Sequence, residues 1–489
     1  MNSVWLGMLT SISIVASAAF AHAQAPADAP APPAAPAPTA PVAPATPPGG
    51  AAPIAPSVPV AAVPPATPPN PTSVAPVAPA PLVTVAPGPA AAAIPPAVTP
   101  PLPALALPPP GPAAAAAEIS GGPGKGLSVE LGDSFGMNLR SRFQFRYQLD
   151  VPPEGADGTR NYLQTLNIAT ARVWLSGYVF QPELTYMIQL AVAGRDYRDG
   201  ATSPLFDAYI DWKAHRDFNL RGGQFFVPFD RLRTVREFAL QMVDRPGPVQ
   251  ELTLDRDAGV VAYSERIGGS PLGYRVGVFG GGGTNVTAGK EPGFLVMGRL
   301  ELRPLGPIDD DVEGDLERRE TPGLAIGAGI AHNSNTNRAR STTGATFTGG
   351  TADYLHLAGD LVFKWRGLAA QFEYLFRDAW RDSIVSEADG ETVTEYTRSG
   401  KGWVAQASYL FETPFEVVGR LSRNYATGGT DPRFVSDVES RGQEVGLGLN
   451  YYLNGHQFKV QGGWIGKMPS DFKFDEGTHS AVLQLDATF

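Results

Sequence analysis

From Val227 to Arg256 five arginines fall close together, Arg231, Arg233, Arg236, Arg245 and Arg256, directly after the run Gly223-Gln224-Phe225-Phe226-Val227-Pro228-Phe229. A guanidinium is planar, stays charged at physiological pH and donates two parallel N–H bonds, which suits phosphate-like oxyanions. The same segment carries Glu237, Asp244, Glu251 and Asp255, which dilute its charge and could instead pair with the arginines to hold a loop's shape. Other chemistries are poorly served. The histidines, His22, His215, His332, His356, His456 and His479, show no metal-ligand spacing. His356 and Asp360 share a strand face but stand about 13 Å apart along it, too far for a hydrolytic hydrogen bond. Gly280–Gly283 lacks the Lys-Ser/Thr and the helix of a phosphate loop. With no cysteine, thiol catalysis, disulfides and Cys-held metals are excluded. No catalytic residue, metal or cofactor is expected, and the chain does not read as an enzyme.

The elements that would position these arginines follow from composition and periodicity. Residues 1–23 read as a secretory signal, with Leu9, Ile12, Ile14, Val15 and Phe20 leading to the small-x-small site Ala21-His22-Ala23, although MNSVWLG contains no Lys or Arg. Residues 24–117 are almost wholly Ala, Pro, Val and Thr; 32 of the 48 prolines precede Glu118. Proline lacks an N–H and fixes φ, so this tract is expected to be a disordered, polyproline-like spacer. Roughly 90 residues at about 3.1 Å each could reach on the order of 280 Å. Residues 118–489 carry all 38 Lys and Arg against 47 Asp and Glu, a net charge of −9, which argues against a general nucleic-acid binder. No run after Phe20 approaches the roughly 20 apolar residues of a membrane helix.

Period-two alternation fills those residues. In Met137–Leu149 the odd positions are apolar except Ser141, and the even ones are Asn138, Arg140, Arg142, Gln144, Arg146 and Gln148. Similar segments lie at 163–178, 184–192, 206–213, 218–226, 257–267, 272–280, 294–303, 323–332, 354–365, 367–377, 402–412, 415–424, 442–453, 456–467 and 480–489, which makes sixteen strands. Long connections (150–162, 194–204, 227–256, 281–293, 333–353, 378–401, 425–441, 468–479) alternate with tight turns, and an even count puts both termini on the short-turn side. That is the rhythm of an all-β transmembrane antiparallel barrel. The long acidic stretch Pro304–Pro322 breaks it: either an enlarged turn or a slip in the strand count. The last strand alternates to a terminal Phe489, the usual signal for barrel assembly.

If apolar positions face lipid, the opposite phase faces a water-filled lumen. Fourteen basic positions then point inward (Arg140, Arg142, Arg146, Arg172, Lys213, Arg221, Arg275, Arg299, Arg303, Lys364, Arg377, Arg420, Lys459 and Lys467) against nine acids (Glu183, Asp207, Asp211, Glu301, Asp360, Glu373, Glu416, Glu444 and Asp486). A basic lumen concentrates anions. The alternative is that these arginines pair with neighbouring acids and stiffen the wall, as Arg299, Glu301 and Arg303 could.

The run GQFFVPF, the loop after it, Arg256-Asp257-Ala258-Gly259-Val260, Ala171-Arg172-Val173 with Gly177, and Asp207-Ala208-Tyr209 resemble the phosphate-selective porin O and P family over roughly residues 125–489. The resemblance implies a sixteen-stranded trimeric outer-membrane channel, with an arginine ladder leading to a constriction built from the third loop. By match, Arg231, Arg233 and Arg236 would sit in that loop and Arg172 and Arg221 on the adjoining wall, within an anion-binding set completed by Arg140, Arg142, Arg299 and Arg303. The 30 Arg against 8 Lys leave the family's lysine-rich exit poorly represented.

The expected function is an outer-membrane porin for small anions, phosphate or related oxyanions, through a pore narrowed by the third loop. A general or differently selective diffusion porin is the main alternative; a structural anchor tethered by the Pro-rich arm is another. Expected partners are phosphate or other small anions, outer-membrane lipid, further copies in a homotrimer, and the cell wall through a periplasmic spacer.

Overall fold

Side chains that alternate apolar and polar can satisfy lipid on one face and water on the other only if every backbone group is paired, which inside a bilayer requires a closed sheet. The computed structural model describes residues 117–155, 157–196, 203–286, 291–388 and 390–489. The expected signal and, apart from Ala117, the expected spacer lie outside the described residues.

A hairpin of β1 (Glu118–Gly122) and β2 (Gly126–Leu131) comes first. The wall follows as β3 (Phe135–Val151), β4 (Leu163–Val179), β5 (Gln181–Ala191), β6 (Leu205–His215), β7 (Phe218–Phe226), β8 (Arg256–Ser264), β9 (Leu272–Phe279), β10 (Leu295–Leu302) and β11 (Gly323–Thr336). Two short strands, β12 (Arg338–Arg340) and β13 (Thr343–Thr346), interrupt it before β14 (Ala352–Trp365) and β15 (Leu368–Ala379). Another pair, β16 (Ser383–Ala388) and β17 (Glu391–Tyr396), precedes β18 (Gly400–Leu410), β19 (Phe415–Ala426), β20 (Gln443–Asn454), β21 (Phe458–Met468) and β22 (Thr478–Thr488). Each wall strand pairs antiparallel with the next, and β22 returns to β3, from His479 opposite Val151 to Thr488 opposite Arg142. The sixteen-stranded barrel is closed. Two bonds seal the seam: Phe489 N–H donates to the Ser141 carbonyl at 2.8 Å, and Ser141 N–H to the Phe489 carbonyl at 3.0 Å.

The wall is turned inside out relative to a soluble core. Val260, Val276, Leu300, Ile330, Leu447, Leu449 and Leu483 are exposed, whereas Arg142, Lys364, Arg377, Lys459 and Asp486 are buried. The phase read from the sequence is therefore the observed one: apolar to lipid, polar inward.

Two connections enter the barrel. Val227–Asp255, the third long loop, folds as α1 (Arg231–Thr234), a 3-10 turn at Glu237–Ala239 and α2 (Gly247–Leu252). Its Val227, Phe229, Leu232, Val249, Leu252 and Leu254 join inward residues of the wall, among them Phe279, Leu295, Met297, Leu375 and Val404, in one buried apolar cluster. The second is the 303–322 stretch. The strand count does not slip there, because β10 and β11 pair in register from Leu295–Asn333 to Leu302–Ile326. It is an enlarged turn tucked into the barrel, with Ile308, Asp310, Glu313 and Asp315 buried. Lys364 Nζ holds it, donating to the carbonyls of Asp309 (2.6 Å) and Val312 (2.7 Å). The sequence reading left β1–β2, β12–β13, β16–β17 and α3 (Pro432–Arg441) as irregular chain; all four are regular elements.

Candidate functional site

The third loop is positioned first by its own sequence. Asp230, a strong N-cap type, accepts from Arg233 N–H at 2.8 Å, and Pro248 stands in the first turn of α2, where its missing N–H costs nothing. The wall then grips its backbone. Glu373 accepts from the N–H groups of Arg231 (3.1 Å) and Leu232 (2.9 Å). Lys459 donates to the Leu240 carbonyl (2.6 Å), Arg146 to that of Val243 (2.9 Å) and Arg420 to that of Asp244 (2.7 Å). Gly329 makes room for the loop: a Cβ there would lie 2.3 Å from the Phe229 carbonyl oxygen.

The arginines expected to bind anions are placed as follows. Arg231 is buried and bonded to Asp360 (2.7 Å) and Asp310 (2.5 Å). Arg299 bonds Glu301 (2.9 Å) and Asp360 (2.7 Å), and Arg303 bonds Glu301 (3.2 Å) and Asp310 (3.1 Å), so these three share one ion-pair network beneath the loop. Arg142 pairs with Asp486, Arg172 with Asp196 and Glu237, Arg221 with Asp211, and Arg233 with Asp255. Arg140 lies apart, donating to the Lys125 carbonyl between β1 and β2. Arg236 alone of the nine is exposed with no side-chain partner among the described residues.

Two cavities divide the open part of the lumen, of about 990 Å³ and about 1030 Å³. The first faces the short-turn side and includes Tyr178, Lys213, Asn219, Glu265 and Asp309 in its lining; the second faces the long loops, with Asp150, Arg195, Lys467 and Ser480. Arg172, Phe206, Glu237 and Arg245 line both. Around that junction burial opposes ionisation of Glu237, but Arg172, Arg195 and Arg245 hold its carboxyl well below the usual range. Burial, reinforced by Arg233, lowers the Arg245 guanidinium to about 10, which leaves it charged at neutral pH.

Several residues at this site were not singled out from the sequence. Phe206 was read as lipid-facing. A register shift between Gln189 and Leu190 leaves it as the extra residue of a bulge, and it packs against Arg172 (4.4 Å) and Arg256 (3.6 Å) instead. Trp174 was also missed. One signal was available: strand glycines such as Gly329 and Gly448, where a Cβ would lie 2.8 Å from Met242 Sδ, mark where another chain segment approaches closely.

A closed antiparallel barrel with an apolar outer face and a charged interior defines an integral outer-membrane porin. The chain belongs to the phosphate-selective porin O and P family, whose model matches residues 137–486. No curated protein sequence matches it. Similar solved structures include an anion-selective porin from Comamonas acidovorans (11% identity, TM-score 0.45, 73% of this chain and 100% of that one). The Salmonella typhi porin OmpF with daunomycin is another (12%, 0.47, 74% and 100%), as is the outer-membrane channel DcaP of Acinetobacter baumannii (12%, 0.44, 73% and 98%).

Proposed function

We propose that this porin passes small anions, phosphate or related oxyanions, through a passage narrowed by the third loop. The observation that carries the reading is that the two lumen cavities share Arg172 and Arg245, so a solute crossing between them meets two guanidiniums with one carboxylate, Glu237, between them. At a narrow junction the effective dielectric falls and each charge acts more strongly than in the vestibules. Below it stand Arg236 and Lys213, whose side chains have no partner among the described residues. Arg231, Arg233, Arg299 and Arg303 act as the loop's footing, and Arg172, Arg221, Arg236 and Arg245 act on solute.

Reversal potentials across a planar bilayer under a KCl gradient test this reading. A potential reporting chloride as the more permeant ion supports it, and cation preference or no preference rejects it. Phosphate titrated against chloride current then tests selectivity within the anions. The same reading takes the functional unit as a homotrimer in outer-membrane lipid, with residues 24–117 as a periplasmic spacer reaching the cell wall.

A further inference from the structure

The lumen, with its upper cavity on the long-loop side and its lower one on the short-turn side, does not hold every cation left without a carboxylate. Two stand on the outer face of the wall. The outward phase carries Lys401 and Trp403 on β18, and Arg423 and Tyr425 on β19. Lys401 stands opposite Tyr425 and Trp403 opposite Arg423, which makes the two cations diagonal neighbours, about 7–8 Å apart at the backbone. Both reach the same ring: the Arg423 guanidinium lies 4.7 Å and Lys401 Nζ 5.9 Å from the centre of Tyr425. Neither side chain has an ion pair or a hydrogen bond among the described residues, and Asp378, the outward acid diagonal to Lys401 on β15, makes none with it. The helix α3 approaches from the inner side, where a Cβ on Gly400 would lie 2.9 Å from the Phe434 ring, and Lys401 stays exposed.

Depth decides what can reach this pair. At the short-turn end of the same strands, Tyr409 meets Phe411 at 5.1 Å and Phe415 meets Tyr451 at 4.7 Å, one aromatic edge of the apolar band. Lys401 lies eight residues from Tyr409 along β18, about 26 Å of strand and roughly 20 Å of depth once the strand's tilt is allowed for. The two cations and Trp403 therefore stand at the other edge of the band, level with the headgroups of the leaflet on the long-loop side. A trough runs down from them. Ala405 sits between the exposed Phe372 on β15 and Leu421 on β19, and Ala407 continues it between Ala370 and Gly419. A guanidinium grips a phosphate with two parallel N–H bonds, and an ammonium beside it adds a point charge. We propose that this outward face binds a phosphate-bearing lipid of the outer leaflet, with Lys401 and Arg423 on the headgroup phosphate and the Ala405–Ala407 trough taking an acyl chain. Charge complementarity and the continuity of cations with trough select this occupant, and the site is independent of what the pore passes.

The test is native mass spectrometry of the purified full chain in detergent, titrated with lipid A or with the same lipid stripped of its phosphates. The wild-type chain half-saturates with lipid A at a concentration about tenfold below the stripped lipid. Lys401→Gln combined with Arg423→Gln brings the two lipids to within about twofold of each other, while channel conductance is retained because both side chains lie outside the pore. Ala407→Trp, which fills the trough, weakens both lipids alike and leaves their ratio. If the double variant gives no folded barrel, Lys401→Gln alone supplies the readout from an exposed side chain, with a preference cut about threefold. Equal binding of the two lipids by the wild-type chain, or an unchanged ratio in the charge variants, overturns the proposal. Two further results also overturn it: release of bound lipid by inorganic phosphate, which makes the pair a free-anion site, and an Ala407→Trp chain that loses its oligomer while keeping its lipid, which makes the face a contact between copies.

Discussion

Arg231 and Asp310 meet at 2.5 Å, although they enter the barrel from opposite ends. Arg231 opens the helix of the third long loop, and Asp310 lies in the enlarged turn on the short-turn side. Ala239 and Glu313 repeat the relationship: Glu313 N–H donates to the Ala239 carbonyl, and the Glu313 carboxylate accepts from Gln241 N–H at 2.6 Å. The third loop thus rests on a floor supplied from the short-turn end of the barrel. Removing the guanidinium leaves Asp310 and Asp360 buried without it, a loss of about 3–5 kcal/mol. Arg231→Ala is expected to loosen the loop, seen as frequent conductance substates in single-channel records and a lower temperature of barrel unfolding in detergent.

Arg236 and Arg233 separate two roles. Arg233 is tied to Asp255, whose carboxyl is held down by Arg233 and Arg256 against the opposing effect of burial. Arg233→Ala should change conductance for chloride and phosphate alike through the loop's shape. Arg236→Gln, which disturbs no ion pair, should lower the anion-to-cation permeability ratio roughly tenfold, as loss of one unit charge near a narrow junction implies. Reversal potentials report the second effect and phosphate titration the first; a phosphate-selective loss in Arg233→Ala would return that residue to a binding role.

Asp309 and Asp311 are exposed to the lower cavity and form no ion pair among the described residues. They set negative charge against Arg236 and Lys213. Asp309→Asn combined with Asp311→Asn should raise anion preference roughly twofold, and the gain should shrink as salt rises and screening shortens their reach.

Docking of the loop should depend on pH through Asp230. Burial pushes its carboxyl up to about 6, although Arg233 N–H, Arg299 and Arg233 favour the charged form. An acid whose docked value lies above its free value of about 3.9 binds extra protons in the docked state between the two. Docking is therefore favoured most at the acid end and weakens as pH rises through about 6. Substates should be more frequent at about pH 8 than at about pH 5, and Asp230→Asn should flatten that difference; an unchanged pH dependence in the variant would assign it to other groups.

The strands were legible because their cause is local. Apolar and polar residues alternating with period two, as from Met137 to Leu149, state which face meets lipid whatever the partner strand is. The sixteen segments, the long-short rhythm of connections and the loop arginines could all be read from neighbours in the chain. What the arginines do could not. Arg231 lies 79 residues from Asp310 and 129 from Asp360, and whether a guanidinium faces solute or a carboxylate depends on which groups the closed barrel brings within about 3 Å. The inward turn at 303–322 read as an anomaly for the same reason: acidic residues near a membrane protein's edge look solvent-bound until Lys364 and Arg303 are seen to hold them. Phe206 shows the finest limit. One extra residue in β6 turns it from lipid to lumen, and a bulge is a property of the pairing between two strands, which neither strand carries alone.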